Sequence, residues 1–171
     1  MEVQPDFKEL LALFNAHGVE YLIVGGYALA HHGAPRFTGD LDLWVHSRTE
    51  NAQRILAALD EFGFGSLNLS PKDFIKKDHV VQLGVPPVRV DIITSIDGVT
   101  WSAGWKGRTP GTYGGMPVFY IGKLNDKWTP PRPSSTNSAL LWPDTLKYFH
   151  KKMRAKDPTL FADEPDNKER L

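Results

Sequence analysis

Asp40 and Asp42 stand one residue apart in "DLDLWV", with Leu41 and Leu43 alternating between and after them. In a strand, residues two apart point to the same face, so the two acids project together while the leucines face the core. Two ionised carboxylates side by side repel, and a cation between them relieves the cost. Hard oxygen donors of this kind suit Mg²⁺ or Mn²⁺, which keep waters and take substrate phosphates as further ligands. Upstream, Gly25 and Gly26 sit where a short strand, "EYLIV", turns into a helix. Glycine lets backbone N–H groups approach an anion closely, and a helix start favours negative charge. Phosphates on the glycines and metal on the aspartates make one site. A solvated strand end or a Ca²⁺ loop is the plainer reading of the acid pair.

A third acid fits the same chemistry. Asp91 lies in "VRVDIIT", a strand otherwise built from valine and isoleucine. A charge inside such a strand is costly unless it is paired or liganded. If this strand lies beside that of Asp40 and Asp42, three carboxylates converge, and two metals can clamp an attacking and a leaving oxygen. The plain alternative is that Asp91 pairs with Arg36 or Arg89. Arg36 and Thr38, just before the acid pair, either contact phosphate or brace the loop that carries the aspartates. His31 and His32 fall at a helix end, where contact with the C-terminal dipole accounts for them.

The combination resembles the nucleotidyltransferase superfamily whose best-known member is DNA polymerase beta. Its members show a hydrophobic strand, Gly-Gly or Gly-Ser, a spacer, Asp-x-Asp, and a later strand with a third Asp. Here these are Val24-Gly25-Gly26, residues 27–39, Asp40-Leu41-Asp42-Leu43, and Asp91. The spelling "RFTGDLDLW" is most similar to the small bacterial nucleotidyltransferases, including the abortive-infection type and the minimal proteins of toxin–antitoxin pairs. The resemblance covers roughly residues 5–122. It implies a catalytic, metal-binding triad of Asp40, Asp42 and Asp91 and a phosphate cradle at Gly25 and Gly26. It implies NTP and Mg²⁺ (or Mn²⁺) as ligands, and transfer of a nucleoside monophosphate onto a hydroxyl with loss of pyrophosphate. Two departures stand out. Tyr27 follows the glycines where many relatives carry a small residue, so it narrows the phosphate pocket or stacks on a base. And "GKLNDKWTPPRPSSTNS" replaces a helix bearing Lys, Arg and Asp, with Lys127 and Arg132 as its remnants.

The elements that must position these residues follow from periodicity. Phe7, Leu10, Leu11 and Phe14 mark a helix opened by an Asp6–Glu9 capping box and stopped at Gly18. After the first strand, "YALAHHG" reads as a short helix and "DLDLWVH" as a strand. A Ser47–Glu50 capping box then introduces the helix "NAQRILAALDEF". "SPKDFIKK" reads as one helical turn, and "HVVQLGV" and "VRVDIIT" as a hairpin across Pro86-Pro87. Gly-rich turns lead to a last strand, "MPVFYIG". The order predicts an α/β (α+β) domain over residues 1–122: a small mixed β-sheet flanked by helices. Residues 123–171 read as an irregular, Pro-rich arm followed by a basic helix near Lys147 to Arg154.

The 171 residues contain no cysteine, which excludes disulfides, thiolate zinc sites and a cysteine nucleophile. Formal charge is zero overall, so no broad basic face points to nucleic acid. The opening residues lack the basic and apolar regions of a signal peptide, and no apolar run is bilayer-length, so the cytoplasm is the expected compartment. The leading reading is an enzyme whose acceptor is a protein, RNA or small molecule. The alternative is an antitoxin-like or regulatory module that keeps the fold and acts through a protein partner. A sugar-nucleotide glycosyltransferase also uses Asp-x-Asp, but the chain is short for that fold.

Overall fold

The computed structural model describes residues 3–34, 38–85, 88–122 and 138–139. Helix α1 (Pro5–Ala16) buries Phe7, Leu10, Leu11 and Phe14, the stripe that its sequence spaces for one face. It starts differently from expectation. Gln4 is the N-cap, without a side-chain capping bond, and Pro5 opens the first turn. Proline has no N–H to leave unsatisfied and its φ is already helical, so the Asp6–Glu9 box is not needed to start the helix. The backbone N–H of Gln4 instead donates to the Tyr113 hydroxyl at 3.0 Å.

Strand β1 (Tyr21–Ile23), helix α2 (Gly25–His31), strand β2 (Asp40–Val45) and helix α3 (Thr49–Leu59) follow. The Ser47–Glu50 box does not form either: Arg48 is the N-cap, and the Ser47 hydroxyl donates to the Thr94 carbonyl at 2.7 Å. Helix α4 (Pro71–Ile75) does carry a capping box, with Ser70 N–H and Oγ both donating to Asp73 Oδ2. Strands β3 (Val80–Val85) and β4 (Val88–Ile93) pair antiparallel. Then come helix α5 (Trp101–Lys106), strands β5 (Thr109–Tyr113) and β6 (Met116–Tyr120), and the two-residue strand β7 (Ser138–Ala139).

Among the described residues, seven strands form one mixed sheet in the order β5-β6-β1-β2-β4-β3-β7. The anticipated mixed sheet flanked by helices is therefore present, with α5, β5 and β7 added to it. Strand β5 reads Thr-Pro-Gly-Thr-Tyr, and proline and glycine both mark an edge position. Its turn into β6 is Gly114-Gly115, each with positive φ, the conformation that a two-residue hairpin turn demands. Leu41, Leu43 and Val45 of β2 and Val90 and Ile92 of β4 join the apolar stripes of α1 and α3 in one core. That leaves residues 40, 42, 89 and 91 on the opposite face.

Most of the expected arm and the basic helix near Lys147 lie outside the described residues, as do Lys127 and Arg132. The exception is β7, which pairs parallel with Val80 and Val81 of β3. A chain ending at Gly122 is expected to keep cooperative unfolding and to lose less stability than Phe14→Ala, which removes about 3–5 kcal/mol. A urea titration compares the two, and a non-cooperative melt of the shortened chain would place later residues in the core. Among the described residues no helix is long and apolar enough to cross a membrane.

Candidate functional site

Strand β2 runs parallel to β4, and the register sets Asp40 opposite Arg89 and Asp42 opposite Asp91. Directly paired residues share a sheet face. Asp40, Asp42 and Asp91 thus converge on one face, as the sequence expectation required. Their neighbour strands are held by Leu41, Leu43, Val90 and Ile92 from beneath, all of them buried.

The same face carries Arg89. Its Nη2 donates to Asp40 Oδ2 at 2.5 Å, and its Nε and Nη2 donate to Asp91 Oδ1 and Oδ2 at 3.0 and 3.2 Å. Gln82 Nε2 adds a long contact to Asp91 Oδ2 at 3.4 Å. The Asp91 side chain is 2% exposed, against 30% for Asp40 and 26% for Arg89. Burial raises the Asp91 carboxyl above its ordinary value; the Arg89 charge pulls it back down, and the nearby Asp40 charge pushes it up again. The pairing of Asp91 with Arg89 was one of the alternatives in the sequence. The reach of the same guanidinium to Asp40 was not legible, because it depends on the strand register.

Gly25 and Gly26 lie beside the acids through close packing. Gly25 has φ +61°, and a Cβ built there would meet Asp42 Oδ2 at 1.9 Å. The Asp42 carboxylate thus lies against the bare α-carbon of Gly25. At Gly26 a Cβ would meet the Thr38 methyl at 2.6 Å. Val24 N–H donates to the Asp42 carbonyl at 3.0 Å, tying the entry of α2 to β2. Gly25 thus adjoins the acids directly, while Gly26 is buried beneath Thr38.

Other expected contacts resolve differently. The Thr38 hydroxyl donates to the Asp40 carbonyl at 3.2 Å and accepts from the Asp40 N–H at 3.3 Å. It braces the turn into β2. Tyr27, expected to narrow the phosphate pocket or stack on a base, is 7% exposed and packs edge-on to Phe7 and Tyr113, at 6.2 and 5.5 Å. Its ring serves the core. Arg36 lies outside the described residues. His31 stacks on Tyr120 at 4.1 Å, and His32 Nε2 is 2.7 Å from the Ile121 carbonyl, so both histidines fasten α2 to β6.

Carboxylate oxygens are the donors that a divalent cation takes, and Asp40 and Asp42, both half-buried, present theirs on the face that Asp91 shares. Yet among the described residues no three acidic or imidazole side chains gather as a ready metal cage. The position of the positive charge is held by Arg89.

The far end of β2 carries features that sequence reasoning passed over. His46 Nδ1 lies 2.6 Å from Glu20 Oε2, and its ring stacks on Trp101 at 4.8 Å. Burial raises the Glu20 carboxyl, but its bonds and charge contacts with His46 and Arg48 outweigh that and leave it below its ordinary value. Two open clefts of about 510 and 420 Å³ meet at His46 and Trp101, and neither is lined by Asp40, Asp42 or Asp91. The signal was the Trp101–Trp105 spacing of one helical turn.

No protein-family model matches the chain, and no curated protein matches it. The chain is similar to a solved structure from Thermotoga maritima titled as a candidate nucleotidyltransferase: 17% identity over 71% of this chain and 80% of that one, with a TM-score of 0.46.

Proposed function

We propose that this chain is a metal-dependent nucleotidyltransferase of the small bacterial type, moving a nucleoside monophosphate from an NTP onto a hydroxyl. The acceptor is a protein, an RNA or a small molecule. The observation that carries the reading is the placement of the Asp42 carboxylate against the α-carbon of Gly25, with Asp91 paired to it across β2 and β4. Backbone suited to phosphate approach and acids suited to a hard cation share one surface. In the reaction, the acceptor oxygen bonds to the α-phosphorus and the bond to pyrophosphate breaks. Mg²⁺ or Mn²⁺, when bound, neutralises phosphate charge and polarises the transferred group. Asp40 and Asp42 hold that charge at the strand start. Asp91, dry and fixed, serves the side of the acceptor hydroxyl. The bare α-carbons of Gly25 and Gly26 seat the side chains of Asp42 and Thr38 at the start of α2, which holds the acid beside the backbone that the phosphates would approach.

A second reading has one observation in its favour. Arg89 already pairs with both Asp40 and Asp91, as suits a module that keeps the fold and acts through a protein partner such as a toxin or antitoxin. Calorimetry with Mg²⁺–ATP and the other NTPs, followed by labelled NTP in cell lysate, separates the two. Binding at millimolar concentration or tighter, about −4 kcal/mol, with label passed to an acceptor is expected. Absence of binding with either metal overturns the enzyme reading. Gly26→Val is expected to weaken nucleotide binding about tenfold or more, because its side chain displaces Thr38 and crowds the cradle.

A further inference from the structure

We infer that Arg89 is a built-in counter-ion that competes with the divalent cation for Asp40 and Asp91, so that metal enters this site by exchange with the guanidinium. The inference rests on the nucleotidyltransferase reading and adds a control element to the same site. Three hydrogen bonds join one guanidinium to carboxylates on two neighbouring strands. Its planar fork matches such a pair of partners and binds them more strongly than neutral donors do. The three groups still sum to one negative charge. Replacing a single positive charge by a double one brings them to neutrality, which gives the exchange its direction.

Burial makes the exchange concerted. With its side chain 2% exposed, Asp91 is costly to leave without a cation. Arg89 therefore departs as another cation arrives. It has the means to do so: about a quarter of its side chain is exposed, its stem is flexible, and the register of β2 against β4 holds the carboxylates in place without it.

The test uses Mn²⁺ alone, without nucleotide, titrated by calorimetry into the full-length wild type, Arg89→Met and Arg89→Lys. Arg89→Met is expected to bind Mn²⁺ at least tenfold tighter than wild type, about 1.4 kcal/mol, with Arg89→Lys between them. Melting in chelator gives a second readout. Arg89→Met melts below wild type, and Mn²⁺ raises its midpoint more than that of wild type. Binding by Arg89→Met that equals or falls below wild type overturns the inference and leaves Arg89 a structural brace, while nucleotide binding by wild type keeps the enzyme reading intact. Failure of every form to bind Mn²⁺ removes the metal site and the inference with it. If Arg89→Met is unfolded in chelator, Arg89→Lys decides: tighter binding than wild type supports the exchange, and equal or weaker binding overturns it.

Discussion

Asp42→Asn is expected to lower nucleotide transfer by about 10²–10³-fold while leaving the fold intact, the loss typical when one preorganised electrostatic group is removed from a transfer site. The side chain keeps its size and its seat against Gly25, so packing is preserved. What disappears is one negative charge at the point where, in the proposed reaction, a cation offsets phosphate repulsion. Phosphoryl transfer leaves little covalent chemistry to the protein, so positioning and charge supply nearly all the acceleration. Asp91→Asn is expected to separate the steps: nucleotide binding stays largely intact and transfer slows, since the proposed reaction puts Asp91 on the acceptor side. Gly25→Ala provides the contrast. Its Cβ falls on Asp42 Oδ2 and its φ of +61° disfavours a side chain, so it costs about 1 kcal/mol or more in stability as well as displacing the acid. A labelled-NTP assay with parallel urea melts measures all three. Transfer by Asp42→Asn within twofold of wild type would remove Asp42 from the chemistry.

The acids were legible because alternation writes a strand's two faces directly into the chain: Asp-Leu-Asp-Leu and Val-Arg-Val-Asp each name their polar side. The adjacency of β2 and β4 was a condition that the sequence stated without fixing. Parallel neighbours more than forty residues apart leave no local mark of their register, and the bond from Arg89 to Asp40 depends on that register. Thr38 and Tyr27 show a related limit. A hydroxyl beside an acid left phosphate contact and a brace equally open, an aromatic beside a glycine pair suggested ligand contact, and the structure shows which protein partners each one has. Asp40 backbone claimed the hydroxyl, and Phe7 and Tyr113 claimed the ring. The Ser47–Glu50 box failed in the same way, once Thr94 came within reach of Ser47 Oγ. Strand β5 was hidden by its composition, since Pro110 and Gly111 are tolerated where the sheet has an edge, and α5 was hidden by its brevity and by Gly104. Gly104 is there to be bare: a Cβ on it would meet Trp44 Cζ3 at 2.4 Å.

That contact leads to a large expected loss of stability, as large as that of Phe14→Ala. Trp44 is 2% exposed and shares the sheet face of Asp40 and Asp42. It meets Trp101 edge-on at 5.0 Å, and Trp101 in turn stacks on Trp105 at 5.4 Å. The indole thus fixes α5 over the end of β2 that the acids leave covered. Trp44→Ala is expected to cost about 3–5 kcal/mol, the transfer of a large aromatic surface plus the cavity that remains. Near-ultraviolet dichroism should lose the coupled tryptophan signal along with it. The indole nitrogen adds a second, opposing term. Among the described residues Trp44 Nε1 is buried without a hydrogen-bond partner, and a buried donor left unpaired costs about 1–3 kcal/mol. Trp44→Phe removes that donor while keeping a ring against Gly104 and Trp101. It is therefore expected to cost only about 1 kcal/mol, the cavity of the lost ring partly offset by the relief of the N–H. Urea denaturation of the two variants reads the difference. A Phe variant as unstable as the Ala variant would mean that the indole N–H is satisfied in solution and that its bond, as much as its volume, holds α5 on the sheet.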